Sequence, residues 1–536
     1  MWSLKSDSRR KDGERVKATE KAVIWVKEHE NLLAALVMSL LPLLCCVVTC
    51  ALQGQSIGKV YLPASEWNDE LFYFKQVEGI IRYGFPQGYF GFNESHALKL
   101  SFAAWSPVLV WPWFLWGLLF GWNLQSPIYC NMVLMMVTMF GFVRLVKPHK
   151  KQLGVLAILF AAFTPFTRYI LSGMPEVICF AMVIYVFALG ISYQRRVHGA
   201  KLVILFVMTV VMVLMRPYLI VFMLLPVYFL IRKKRWLGLL ISGLIGGVTG
   251  VLYIVIKHYL GAEYFAPLFD TTWVGTFLEE GIFAGIKYML YRLWTVGGTF
   301  MGMLWEGFAS GLAAGSRFAG FMLVMVILFW QAFVNFRRKE KDALIRNLYL
   351  AICFLGMWIA LLLMYKMDEG SKHLHTFTAV GIFAISLMET RLFRKVILTA
   401  VVFVYLYVLM ALNPYEYQIP FATQERVQQV AAWEEIFEEN LEMTGEDTPN
   451  FDNAIIWVFD DAVGDGREYT PWQYLYSLPE GFGISCCLQN YVLNNFQDLQ
   501  CRYLAVVQGG QVEEMCVKAG LEQLGVSGGM VVYVLR

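Results

Sequence analysis

Runs of apolar residues recur along this 536-residue chain near 32–52, 126–146, 153–172, 177–193, 202–215, 217–231, 237–257, 317–336, 344–364, 375–390 and 395–412. A helix needs about 20 such residues to cross the hydrocarbon core, so the pattern predicts eleven transmembrane helices. The runs that meet at Pro175 and at Arg216-Pro217 are shorter than the rest. The first run, Leu32 to Leu52, is longer than the apolar core of a signal peptide and lacks an obvious small-residue cleavage site. It is read as a retained first span.

Basic residues test this count, because Lys and Arg concentrate in every second connection of a polytopic protein. Lys147 to Lys151, Arg195-Arg196, Arg232 to Arg235, Arg337 to Lys341 and Arg391 with Arg394-Lys395 all become cytoplasmic when the N-terminal segment 1–31 is inside. The stretch 101–122, SFAAWSPVLVWPWFLWGLLFGW, is apolar enough to be a twelfth span, yet counting it would place every later cluster outside. Its four Trp before Gly121 and its prolines, Pro107 and Pro112, suit the headgroup boundary instead. The reading is therefore one large outer loop, 53–125, bearing interfacial helices within a transmembrane module of 32–412.

An odd number of spans leaves 413–536 outside. This tail carries five Lys and Arg against nineteen Asp and Glu, a net −14, whereas the rest of the chain nets +17. Exclusion of the acidic tail from an anionic cytoplasmic leaflet agrees with that side. A helix is predicted from Gln424 to Glu442, followed by β-like runs in AIIWVFDD (454–461), RYLAVVQ (502–508) and MVVYVLR (530–536), so the tail reads as a small extracytoplasmic α/β or α+β domain. A further outer segment, 258–316, rich in Gly, Trp and Phe, is expected along the membrane surface. No sequence repeat of 20–50 residues and no low-complexity tract is visible.

Composition sharpens the class. Hydrophobic residues make up 58% and charged residues 16% of the chain, at a mean hydropathy of +0.54, against roughly 25% charged in soluble domains. This excludes a secreted soluble enzyme. A nucleic-acid partner is not expected, since the basic residues form short clusters between apolar runs and not one face. Six of the ten cysteines lie in lipid-length runs, where they act as small hydrophobes; Cys486, Cys487, Cys501 and Cys516 are those able to pair, with no pairing assigned. No spacing indicates structural zinc.

Candidate chemistry concentrates in the outer loop, in SEWNDELFYFKQVEGIIRYGFPQGYFGFNESHA (65–97), where Glu66, Asp69, Glu70, Glu78 and Glu94 lie among aromatics. If a helix starts at Asn68 or just before it, Asp69 and Glu70 occupy its first turn, where backbone N–H groups favour ionised acids. Two readings stay open: capping acids, or a functional pair. The aromatics Phe72, Tyr73, Phe74, Tyr83, Tyr89 and Phe90 suit either sugar and prenyl stacking or an interfacial belt.

A first outer loop that opens just after span one with Asp-Glu and aromatics, followed by a helix ending in Arg82-Tyr83-Gly84, resembles the GT-C superfamily of integral-membrane glycosyltransferases, such as the aminoarabinose lipid A transferases and protein O-mannosyltransferases. Trp105-Ser106-Pro107-Val108 stands where that family has its Pro-Pro-Leu stretch, and departs from it by having one Pro. The resemblance implies a GT-C-like fold over 1–412 with the outer domain, and an inverting transfer from a polyprenyl-phosphate-linked sugar. It further implies Asp69 as the general base acting on the acceptor hydroxyl, supported by Glu70.

Such a donor needs cations beside the membrane. Arg168, Arg216 and Lys372 are candidates on the expected outer face. Arg168 lies in TPFTRYILSGMPE with Glu176, and the resemblance makes Glu176 a second candidate catalytic acid; the alternative is a structural Arg168–Glu176 pair between two short spans. Arg216 precedes Pro217, which is placed to start the next helix, and the alternative for Arg216 is snorkelling. In KMDEGSKHLHTF, which holds Asp368, Glu369, Lys372, His373 and His375, the resemblance makes Lys372 or His373 a partner of the donor phosphate; the alternative is a solvated turn. These ligand types also suit a divalent metal without identifying one. Glu279, Glu280 and Glu306 read as surface charges.

The expectation is a plasma-membrane, by resemblance bacterial, glycosyltransferase acting on an envelope glycan, glycolipid or protein. A transporter or lipid flippase is the alternative, disfavoured by the lack of repeats and of mid-span charges. A scaffold is the third, and scattered outer acids would favour it.

Overall fold

The computed structural model describes residues 28–65, 67–84, 91–97, 105–261, 270, 272–310, 312–365, 371–388, 419–444, 451–459 and 472–536. The expected span 395–412, the cluster at Arg391, Arg394 and Lys395, and Glu66, Tyr89, Phe90, Asp368 and Glu369 lie outside the described residues.

Within them, six helices are long and apolar enough to cross a bilayer: Glu30–Leu52, Ser126–Val146, Glu176–Arg195, Arg235–Leu260, Ala319–Arg337 and Lys341–Met364. A seventh span arises if Lys150–Ala162 and Thr164–Ile170, which meet at 65°, count as one. Pro165 sets that bend, because its ring and missing N–H prevent the first helix from continuing through it. Pro217 acts likewise after the helix Gly199–Met215, opening a 3₁₀ stretch, Pro217–Met223, that leads into Leu224–Lys233. Three expected spans, 202–215, 217–231 and 375–390, are thus short or broken helices, the last being Leu374–Ser386. The chain is a multi-pass membrane protein. Arg235–Leu260, with Leu240, Leu244 and Ile254 exposed, presents the apolar outer surface that lipid requires.

Within the stretch 101–122, the described apolar helical segment Pro107–Phe120 covers 14 residues, about 21 Å against the roughly 30 Å of hydrocarbon. Within segment 258–316, expected to run along the surface, the described residues include one 29-residue helix, Ile282–Ser310, packed against Leu312–Arg337 and Lys341–Met364. Its charges, Lys287, Arg292 and Glu306, dilute the hydropathy without interrupting the helix.

The C-terminal domain contains a six-stranded sheet built from β1 (Gly91–Phe92), β2 (Ala454–Phe459), β3 (Gly483–Leu488), β4 (Tyr503–Val507), β5 (Gln523–Ser527) and β6 (Met530–Val534), in the order β1-β3-β2-β4-β6-β5. The β1–β3, β3–β2 and β2–β4 pairs are parallel; β4–β6 and β6–β5 are antiparallel. Every residue of β2 is buried because helices cover both faces, as parallel strands require. Ile455, Trp457 and Phe459 pack with Trp433 and Phe437 of helix Gln424–Asn440; Ala454, Ile456 and Val458 face Val492, Val512 and Cys516 on the other side. The three expected strands are β2, β4 and β6. Cys486, Cys487, Cys501 and Cys516 are buried, and no disulfide joins them among the described residues.

One strand comes from far away in the chain. β1 belongs to the first loop and adds to the sheet edge beside β3, with Asn93 N–H donating to the Cys486 carbonyl at 3.0 Å and Asn93 Oδ1 accepting from Leu488 N–H at 2.9 Å. The first loop and the C-terminal tail therefore form one unit.

Candidate active site

The first-loop helix runs Asn68–Tyr83 and ends at Gly84, whose φ of +80° is the left-handed closure that glycine accepts most readily. Its N-cap is Trp67, with no side-chain cap. Asp69 and Glu70 sit in the first turn but aim their carboxylates at other elements. Lys372 Nζ donates to Asp69 Oδ2 at 2.8 Å, and Arg168 Nη1 lies 3.7 Å from Glu70 Oε1. The two acids face partners that capping alone does not need.

Arg168 occupies the last turn of Thr164–Ile170, with its guanidinium 3.6 Å from the Trp67 ring centroid. The following turn is held by Asn131, whose amide donates to the carbonyls of Tyr169 at 3.3 Å and Ser172 at 3.1 Å while its Oδ1 accepts from Trp113 Nε1 at 2.9 Å. Gly173 in that turn is needed for close approach, since a Cβ there would stand 3.1 Å from Glu70 Cβ.

Glu176 begins the next helix, where the helix dipole favours an acid. It is fully buried, and its Oε1 accepts from Arg216 Nη2 at 2.7 Å. Arg216, also fully buried, has an extended backbone (φ −145°, ψ 112°) because Pro217 disfavours the helical region for its predecessor. The expected alternative of an Arg168–Glu176 pair is thus replaced by two pairs, Arg168–Glu70 and Arg216–Glu176. Snorkelling does not describe a fully buried Arg216.

Lys372 and His373 lie in the 3₁₀ turn Ser371–His373. His373 Nδ1 faces Tyr218 Oη at 3.1 Å and Arg216 Nη1 at 3.3 Å, and Arg216 Nη1 donates to Tyr218 Oη at 3.1 Å. Burial, then the Arg216 and Lys372 cations, hold the His373 imidazole well below its ordinary range, so the ring is neutral. With donors facing Nδ1, the ring proton is assigned to Nε2, a buried group without a hydrogen-bond partner among the described residues.

The other titratable groups are set by competing terms. Burial pushes the Glu70 carboxyl up to about 7, outweighing Arg168, the Ser65 hydroxyl and the Gly173 N–H. For Asp69 burial also acts upward, but Lys372 outweighs it and keeps the carboxyl below its ordinary range. Burial acts to lower Lys372, and Asp69 reverses this to raise it. Asp69 and Lys372 retain 38% and 34% side-chain exposure, whereas Glu70, Glu176, Arg216, Arg168 and His373 are buried. Solvent therefore screens the first pair more than the others.

The seven side chains expected to act in catalysis or donor-phosphate binding, Asp69, Glu70, Glu176, Arg168, Arg216, Lys372 and His373, form one contiguous cluster. Trp105, Tyr218, Tyr73 and Trp67 belong to it as well and were not assigned to it from the sequence. Trp105 packs edge-on against His373 and Tyr218 at 5.2 and 5.7 Å between centroids, with the Arg216 guanidinium 5.3 Å from its ring. Tyr73, buried one turn after Asp69, lies within electrostatic reach of Arg216, Asp69 and Glu176. Its i+4 spacing from Asp69, and the i+2 spacing of Tyr218 from Arg216, were the available signals. Phe72 and Phe74 pack instead on Trp472 and on Trp122 and Tyr476. Glu279, Glu280 and Glu306 are exposed. Among the described residues no group of three or more His, Cys, Asp and Glu converges as a metal site.

Buried ion pairs contribute little net stability once desolvation is counted. Three pairs gathered at the mouth of a helical bundle, under a domain braced against them, are an arrangement that folding alone does not call for.

Fold and site together define a multi-pass membrane protein with a charged cluster between its bundle and an α/β domain. No family model matches the sequence, and no curated protein matches it. Among solved structures the chain is similar to the crystal structure of ArnT from Cupriavidus metallidurans bound to undecaprenyl phosphate, at 11% identity over 93% of this chain and 97% of that one, with a TM-score of 0.41. It is also similar to ArnT from the same organism in the apo state, at 10% identity over 97% of this chain and 98% of that one, with a TM-score of 0.40. At these identities the chemistry has to be read from the site itself.

Proposed function

We propose that this protein is an inverting membrane glycosyltransferase that moves a sugar from a polyprenyl-phosphate donor to a hydroxyl of an extracytoplasmic acceptor. The observation that carries the reading is Asp69, the one accessible carboxylate of the cluster among the described residues, set against Lys372 and backed by Arg216. Asp69 takes the acceptor proton as the acceptor oxygen forms its bond to the anomeric carbon. The bond from that carbon to the phosphate oxygen breaks on the opposite face, and its electron pair leaves with the polyprenyl phosphate.

Leaving-group charge needs preorganised cations. Arg168, Arg216 and Lys372 bring three cations to the cluster, and burial, which pushes the Glu70 carboxyl up to about 7, weakens its negative charge near neutral pH and so favours an incoming phosphate. The neutral His373 adds an unpartnered N–H donor. Glu176 fixes Arg216, and Glu70 seats the helix carrying Asp69 against Arg168. The alternation of basic clusters supports a plasma-membrane orientation with the N-terminus in the cytoplasm and the C-terminal domain outside.

The test is transfer from a panel of radiolabelled polyprenyl-phosphate sugars to membrane acceptors, comparing purified wild type with Asp69→Asn in the same lipid. Loss of a general base predicts a fall of about 10²–10⁴-fold in the variant. Equal transfer by the variant would remove Asp69 from the chemistry. No transfer by either protein from any donor, together with lipid movement in a flippase assay, would favour transport.

A further inference from the structure

Among the described charged side chains of the cluster only Asp69 and Lys372 reach open space, and they are bonded to each other at 2.8 Å. The remaining charges already have fixed partners in the interior: Arg216 is held by Glu176 and Arg168 stands beside Glu70. An incoming phosphate therefore meets Lys372 as the accessible cation of the group, and meets it already committed to the carboxylate that the transfer requires. One positive charge cannot fully serve both anions. Lys372 stands on a 3₁₀ turn, at the end of a flexible side chain with three donors, so re-aiming its ammonium requires no movement of a helix.

We infer that Lys372 is a shared cation, paired with Asp69 in the empty site and drawn to the donor phosphate when it arrives, so that donor binding uncovers the base and precedes productive binding of the acceptor. The inference rests on the transferase reading and adds an order of events to it. Without donor, Asp69 is occupied and cannot accept the acceptor proton. Once the phosphate draws Lys372 away, Asp69 faces the acceptor hydroxyl as an unpaired carboxylate, and after transfer the departing polyprenyl phosphate returns Lys372 to Asp69.

A simple base and a shared-cation pair differ in what Asp69→Asn does to binding of the lipid alone. Removing the competing carboxylate releases Lys372, so the variant that loses transfer should bind undecaprenyl phosphate in nanodiscs about two- to fivefold tighter than wild type, the scale of one half-exposed ion pair. Lys372→Met should bind more weakly. The double variant Asp69→Asn/Lys372→Met separates this from a general loss of negative charge, because the gain from Asp69→Asn should vanish in the K372M background. Asp69→Glu, which keeps the charge, should bind close to wild type and checks that the site tolerates substitution. Unchanged or weaker binding by Asp69→Asn, or an equal gain in the K372M background, would overturn the shared-cation proposal while leaving the transferase reading intact. Absence of saturable binding by wild type and Asp69→Asn alike would overturn both.

Discussion

Lys75 Nζ, two turns along the helix that begins with Asp69 and Glu70, donates a 2.7 Å hydrogen bond to the carbonyl of Leu478, 403 positions away, and a second at 2.9 Å to Glu78 Oε2. The catalytic candidate and the C-terminal domain are thereby joined through a buried ammonium. Gln473 Nε2 donates to the Ser65 carbonyl at 3.0 Å, and Tyr61 N–H donates to the Pro420 carbonyl at 2.7 Å, fastening the segment that leads into the same helix. The α/β domain acts as a brace for the first loop.

Replacing Lys75 by Met leaves the Leu478 carbonyl and the Glu78 carboxylate buried without their donor. The expected cost is about 3 kcal/mol, read as a lowered thermal midpoint in detergent. Glu78→Gln in the same chain should recover part of the loss. A midpoint equal to wild type would mean that the brace lies elsewhere.

The Arg216–Glu176 pair is fully buried. Arg216→Met should destabilise by about 3–5 kcal/mol, because a lone buried carboxylate remains, while Arg216→Met combined with Glu176→Leu should cost less than the single change. Chemical-denaturation midpoints of the three proteins decide this. Additive losses would contradict a coupled pair.

Glu70 gives stability a pH dependence. Its folded-state carboxyl is raised to about 7 from an ordinary 4.5, chiefly by burial, so the folded chain holds a proton that the unfolded chain has lost between those values. The contribution is fully present below pH 4.5 and is lost as pH rises through about 7. Thermal midpoints measured from pH 4 to 9 should fall across this window in wild type. The slope should flatten in Glu70→Gln, and a slope of equal size in that variant would assign it to another group.

Cys486 and Cys487 lie in β3, Cys516 in the helix Gln511–Lys518 and Cys501 just before β4, and all four are buried. A bulky maleimide should therefore leave them unmodified in the native protein and react after denaturation, and reducing agent should not alter electrophoretic mobility. A mobility shift on reduction would indicate a disulfide.

Part of this was legible in one dimension. The apolar runs, the alternating basic clusters and the placement of Asp69-Glu70 just after the first span depend on local composition, and lipid and helix geometry act on such patterns directly. The first-loop helix, the helix of the tail and three of its strands were likewise written in local periodicity and turn chemistry. The Arg216-Pro217 step announced a break, since proline restricts the residue before it whatever the surroundings.

What only the tertiary structure decided is which groups meet. Asp69 with Lys372, Glu70 with Arg168 and Arg216 with Glu176 are contacts across 303, 98 and 40 positions, and nothing in residue spacing ranks Arg216 above Arg168 as the partner of Glu176. The entry of Gly91–Phe92 into the C-terminal sheet was equally hidden, because a two-residue strand carries no periodicity and its partner lies almost 400 residues away. Burial works the same way: it raises Glu70 and leaves its neighbour Asp69 accessible, although in sequence they are adjacent acids in one turn. Local pattern fixed the elements and the candidate charges; long-range packing, which sets partner and dielectric together, decided what each charge can do.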